Sequence, residues 1–304
     1  MIRIILIVLT VVLGGCTYNQ DKHIHELFTK ERGSLPKERD AWIVEQSLGH
    51  PSDEFTLAIE PYDPLTTPKG TFPLVLLKGD RVPLEERLIF AIVDTVNGKI
   101  DPQFEFEVQE AGNLKIFDKN GVRFENEIPF VACDGLIVGK PILYAVVSKE
   151  KFTIATAEFI PYPLETKMEE GPQVSLVVTH PMLTRFQLRA NGFDANERVK
   201  LIHQSGNQRE EVVMFANEEG NFSFGLNPTV LGRLGGEANL TIERGGEEFS
   251  LDYPWGAKLE SRAFHERTLF PVLFVVNQLP DEINSERVQH SFAKIFKMDN
   301  SANI

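Results

Sequence analysis

The sequence predicts a mainly β protein: two antiparallel β-sandwiches in tandem, preceded by an export signal and tether and followed by an amphipathic helix. Three observations predict it. Apolar stretches of strand length recur between turn signals from residue 51 to residue 256. Within many of them apolar and polar side chains alternate, the period of a sheet with one wet face. Glycine (22) and proline (18), which punctuate such strands, are plentiful. The expected organisation is a signal over 1–15, a tether over 16–50, a first sandwich over 51–165, a second over 172–256, and a strand plus helix over 257–304. With 304 residues, 42% of them hydrophobic, there is material for two cores. A net charge of −13 disfavours a nucleic-acid binder, because phosphate neutralisation needs clustered lysine and arginine. Two cysteines exclude a disulfide-built scaffold.

The chain opens MIRIILIVLTVVLGGCTYNQ. Arg3 precedes an uncharged run over 4–13 that is too short to span a bilayer, which takes ~20 apolar residues. A positive start, a short apolar core and small residues mark an export signal. Leu13-Gly14-Gly15-Cys16 resembles the lipobox of bacterial lipoprotein precursors. That resemblance implies that the Cys16 thiol is alkylated by a diacylglyceryl group. The bond before Cys16 is then cut, with Leu13, Gly14 and Gly15 as the signal-peptidase recognition residues, and the new amine is acylated, palmitate being an expected chain. Two or more chains suffice for stable anchoring, at ~0.8 kcal/mol per buried methylene. Thr17, where the family's inner-membrane proteins often carry Asp, implies the outer membrane. The competing readings are an ordinary signal peptide that happens to contain a cysteine, and a buried core strand.

In the tether, Ile24, Leu27 and Phe28 have the spacing of a short amphipathic helix that Gly33 and Pro36 would end. His23 and His25 could form a metal pair, but without further ligands they read as solvated side chains. Strands of the first sandwich are expected over 55–60, 73–77, 88–94, 104–109, 114–117, 143–147 and 153–159. Asn97-Gly98 and Asn120-Gly121 signal tight turns, because both residue types tolerate positive φ. Ile160-Pro161-Tyr162-Pro163-Leu164 suits a link between domains. Cys133 reads as a small buried hydrophobe rather than a nucleophile, since no basic neighbour lies close in sequence.

The second sandwich is the most legible part, with strands expected over 174–178, 185–190, 199–203, 211–216, 221–225, 238–243 and 248–253. Phe186, Leu188 and Ala190 oppose Arg185, Gln187 and Arg189; Phe249, Leu251 and Tyr253 oppose Glu248, Ser250 and Asp252. That density of short strands points to an immunoglobulin-like sandwich without its cysteine pair. Gly192-Phe193, Glu197, Val199 and then Ala216, Gly220, Phe222 and Phe224 resemble the GFxxxExV…AxxxGxFxF pattern of Ig-like modules in bacterial surface proteins.

In the tail, 270–277 is an apolar run of strand length. Ser285 would cap a helix reaching about residue 298, with Val288, Phe292, Ile295 and Phe296 on one face. The face would pack on the chain's own sandwich, or dock a partner or the membrane surface. No GxSxG, HExxH or phosphate-cradling glycine loop is present, and Glu210-Glu211, Glu218-Glu219 and Glu247-Glu248 lack calcium-loop spacing. No cofactor, metal or catalytic residue is expected. The expected function is a lipid-anchored, non-catalytic envelope module whose partner is an unidentified envelope protein or surface ligand. The alternatives are an assembly factor of a secretion or pilus system, and a lipid-anchored hydrolase without a local motif.

Overall fold

A computed structural model describes residues 37–67, 70–118, 121–125, 130–132, 138–160, 162–167, 171–260 and 271–277. The chain is mainly β, with several antiparallel sheets, as the alternation predicts. The first element among the described residues is a helix, α1 (Lys37–Ser47). Asp40, Ile43, Val44 and Ser47 make its buried face, at i, i+3, i+4 and i+7. The end of the stretch expected as a tether, 16–50, is thus packed structure. The physical reason is that two of the four buried positions are polar, so the apolar stripe is too thin to see in the sequence.

Two sheets follow around the first core. One has six strands in the order β6-β5-β4-β3-β8-β9: β3 (Leu88–Asp94), β4 (Lys99–Val108), β5 (Leu114–Asp118), β6 (Gly121–Glu125), β8 (Ile142–Ser148) and β9 (Ile154–Phe159). The other has the order β1-β2-β18-β7: β1 (Thr56–Thr67), β2 (Gly70–Asp80), β7 (Phe130–Ala132) and β18 (Pro271–Val276). Between them lies an aromatic core. Phe274 sits with its ring centroid 4.9 Å from Phe90 and 5.5 Å, edge-on, from Phe106. On the opposite face of the six-stranded sheet, Ile43 and Val44 of α1 cluster with Ile89, Ala91, Val93, Ala145, Val147 and Ile154. This makes three layers: helix, sheet, sheet.

The strand expected in the C-terminal tail therefore lies in the first core. β18 pairs parallel with β2, Phe274 opposite Leu77, and antiparallel with β7. Asn277 fastens its end: its Oδ1 accepts from Val82 N at 2.9 Å and its Nδ2 donates to Val82 O at 2.8 Å. A run buried on both faces reads as continuous apolar sequence, and such a run carries no sign of which sheet it joins.

The second core is closed by two four-stranded sheets. One is β10-β11-β12-β15: β10 (Leu164–Lys167), β11 (Gln173–Val178), β12 (Phe186–Asn191) and β15 (Phe222–Leu226). The other is β14-β13-β16-β17: β13 (Arg198–Ser205), β14 (Gln208–Phe215), β16 (Gly235–Arg244) and β17 (Glu247–Gly256). All pairings in both are antiparallel. The core holds Phe186, Tyr253 and Trp255, with Leu188, Leu201, Leu240 and Ile242. Every strand expected over 172–256 is present. β10 is additional, and Leu164, expected in a linker, is buried opposite Leu176.

The residues behind the Ig-like resemblance hold two turns together. Phe193 N donates to Gly220 O at 3.1 Å, and a Cβ on Gly220 (φ +76°) would lie 2.0 Å from Phe193 O, so only glycine fits. Phe193 packs on Phe222 at 5.1 Å between ring centroids. Glu197 accepts from Asp194 N at 2.9 Å and from Arg244 Nε at 2.7 Å.

Candidate functional site

The residues singled out for modification and docking lie outside the described residues. These are Leu13, Gly14, Gly15 and Cys16, then Val288, Phe292, Ile295 and Phe296. His23, His25 and Cys133 lie outside them too. Of the acidic pairs, Glu211 is held by Arg209 at 2.8 Å and Lys200 at 3.1 Å, and Glu219 accepts from Asn221 Nδ2 at 3.4 Å. Among the described residues no group of three or more His, Cys, Asp or Glu is placed to hold a metal, and no helix is long and apolar enough to cross a membrane.

Two polar clusters are buried. The first lies under α1, where Asp40 is fully buried. Lys149 Nζ is 3.3 Å from Asp40 Oδ1 and 2.6 Å from Glu105 Oε1. Arg87 bridges Glu105 and Glu107, at 3.2 Å to each, with its guanidinium carbon 3.5 Å from the Phe117 ring centroid. Asp40 Oδ2 has no partner. Burial raises the Asp40 pKa, and the charge of Lys149 opposes the rise. The cluster fixes a helix to a sheet. A buried pair of this kind costs desolvation to form and much more to break.

The second cluster is His203 and Tyr253, whose Nε2 and hydroxyl lie 2.8 Å apart inside the second core. Sequence reasoning gave His203 no partner. Its partner lies fifty residues on, and two registers (His203↔Leu240, Ala238↔Tyr253) bring them together. Burial lowers the His203 pKa and raises that of Tyr253, so both stay neutral near pH 7.

The most accessible apolar groups lie on loops at one end of the second sandwich. Met182 is 66% exposed, Leu231 99% and Leu234 85%. These loops are pinned. Gly256 N donates to Leu183 O at 2.7 Å and Ala257 N to Leu234 O at 3.0 Å. A Cβ on Gly256 (φ +58°) would lie 2.2 Å from Leu234 O, so the contact needs glycine. Arg233 N donates to Val230 O at 3.0 Å, Asn227 Oδ1 accepts from Thr229 Oγ1 at 2.7 Å, and Ser205 Oγ donates to Pro228 O at 2.6 Å. The backbone is ordered by its own hydrogen bonds while three large apolar side chains face water. Sequence reasoning missed this group. Its one signal was Leu231 and Leu234 inside a Pro/Gly-rich loop.

No family model and no curated protein sequence matches the chain. Sixteen solved chains are similar to it, three of them as follows. One is the tetra-tandem repeat in the extending region of a large adhesion protein, at 12% identity over 66% of this chain and 49% of that one, TM-score 0.21. Another is a segment of two fibronectin type III domains from chicken tenascin, at 13% identity over 65% and 97%, TM-score 0.21. The third is the receptor tyrosine kinase Torso, at 8% identity over 79% and 88%, TM-score 0.20.

Proposed function

We propose that this chain is an envelope lipoprotein: a non-catalytic binding or scaffolding module held to the membrane, in our reading the outer membrane, by lipid on Cys16. The observation that carries the binding half is the pinned loop of the second sandwich, which keeps Leu231 and Leu234 in water. Burying a leucine releases roughly 1.5–3 kcal/mol, so an ordered loop that withholds two leucines from its own core presents contact area at low entropic cost. The anchor half rests on the lipobox resemblance at Leu13-Gly14-Gly15-Cys16. Two measurements test the halves separately. Mass spectrometry of the membrane-extracted protein is expected to find diacylglyceryl on Cys16, and Cys16→Ser is expected to release the protein from sedimented membranes. Pull-down from detergent-solubilised envelope is expected to lose its stoichiometric partner in Leu231→Asp/Leu234→Asp, with unchanged thermal stability. An unmodified thiol would refute the anchor, and an undiminished partner would refute the loop.

A second reading, an assembly factor of a secretion or pilus system, is favoured by one specific feature. β14 is an edge strand of its sheet, with Val213 (42%) and Phe215 (62%) exposed. Factors of that kind often work by strand addition to a bare edge.

A further inference from the structure

We propose that β14 is a self-association edge, on which a second copy of this chain adds its own β14 antiparallel about a two-fold axis at Val212, merging two four-stranded sheets into one.

The other sheet edges are short or guarded, as natural sheet edges usually are. β1 carries Pro61 and Pro64 and a register shift between Tyr62 and Leu65. β7 has three residues, β10 four, and β6 and β15 five each. β9 is flanked by β1, and β17 carries Pro254 and has β10 lying against it. Among the described residues, β14 has none of these protections. It runs eight residues, QREEVVMF, with unbroken register against β13 and no proline.

The hairpin geometry says which groups are available. Ser205 and Gln208 close the Gly206–Asn207 turn. Antiparallel alternation then spends the N–H and C=O of residues 208, 210, 212 and 214 on β13. Those of Arg209, Glu211, Val213 and Phe215 point away from the sheet. The side chains of these four share the outer face, and all are exposed.

The strand is complementary to itself. A two-fold at Val212 uses every outward group and sets Glu211 opposite the second copy's Val213, and Arg209 opposite the second copy's Phe215. Like charges do not meet directly across it, and a guanidinium facing an aromatic ring is attractive. A two-fold at Glu211 would set carboxylate against carboxylate. One at Val213 would leave Arg209 outside the pairing. This inference does not rest on the lipid anchor or on the leucine loop.

The test uses the full chain in detergent, followed by sedimentation velocity across a concentration series. Wild type is expected to show a monomer–dimer equilibrium. Val213→Glu places a carboxylate opposite the second copy's Glu211, yet beside Lys200 of its own β13, so it folds. It is expected to weaken the dimer at least tenfold. Glu211→Lys/Val213→Glu is expected to restore it, because the new lysine and glutamate face each other only in this register. In a Cys133→Ser background, Val212→Cys is expected to yield a disulfide between two 210–233 tryptic peptides, and Glu210→Cys is not. A wild type that stays monomeric, a double variant no better than the single one, or equal cross-linking at 210 and 212 would overturn the proposal. So would capture of a different protein on β14 without self-association. None of these outcomes bears on Cys16 modification or on the partner lost with Leu231 and Leu234.

Discussion

Phe274→Ala tests whether the last described strand closes the first core. Phe274 is fully buried, its ring touching Phe90 and Phe106 and lying 6.5 Å from Phe104. Truncating such a ring costs about 3–5 kcal/mol, combining lost transfer energy with the cavity left behind. At about 1.4 kcal/mol per decade, globally protected amides should exchange roughly a hundred- to several-thousandfold faster. Hydrogen exchange with mass spectrometry resolves where this happens. The acceleration is expected in β3, β4 and β8, which share the core with Phe274. It is not expected in β11, β12 or β16, which belong to the other core. Exchange in β3 less than tenfold faster, or equal acceleration in both cores, would refute the placement of β18 as a structural member of the first core.

Two pH predictions have opposite sign. Asp40 binds its proton more tightly in the folded than in the unfolded chain, so its ionisation costs stability that is absent at low pH and grows as pH rises through the folded pKa. In urea unfolding from pH 4 to pH 7, wild type is therefore expected to lose stability relative to Asp40→Asn, which has no carboxyl to ionise; a wild type that gains on the variant as pH rises would mean the Lys149 attraction outweighs burial. His203 binds its proton less tightly when folded, so stability is full above about pH 6.5 and falls as pH drops below it. Melting temperature measured from pH 7.5 to 5 is expected to decline in wild type more than in His203→Gln, and parallel curves would show that His203 is not the titrating group.

The strands of the second core were legible because each half-buried strand shows its wet face in the sequence. Ala238, Leu240 and Ile242 point inward while Glu237, Asn239 and Thr241 do not, and a period of two survives any loop length. α1 was not legible. Its buried face spends Asp40 and Ser47 where apolar residues would advertise a helix, and it leaves Trp42 52% exposed. β18 was legible as a strand but not as a partner of β2. The pairing joins residues almost two hundred positions apart, and VLFVV (272–276), buried on both faces, has no alternation to fix a register. The candidate surfaces were hidden for another reason. Leu231 or Phe215 read singly is an ordinary apolar residue, and only the sheet order and the loop hydrogen bonds show that each faces water.

The placement of β18 also changes what the tandem arrangement means. β9 and β18 both belong to the first core, and the whole second sandwich, from β10 to β17, is spelled between them. The second sandwich is thus an insertion, joined to its host by two connections rather than one. An insertion is tolerated when its own ends lie close together. They do: β10 lies against β17, and Leu164 and Gly256 both sit at the end of the sandwich where Val178 N donates to Gly139 O at 2.8 Å. Val138 adds its side chain to the second core beside Leu164 and Leu176. A single linker would let the sandwich swing about one hinge. Two connections, with the contact at residues 138–139, tie it to its host at that end. Cutting the chain between 261 and 270 should therefore cost the first core its β18 while leaving the second core intact.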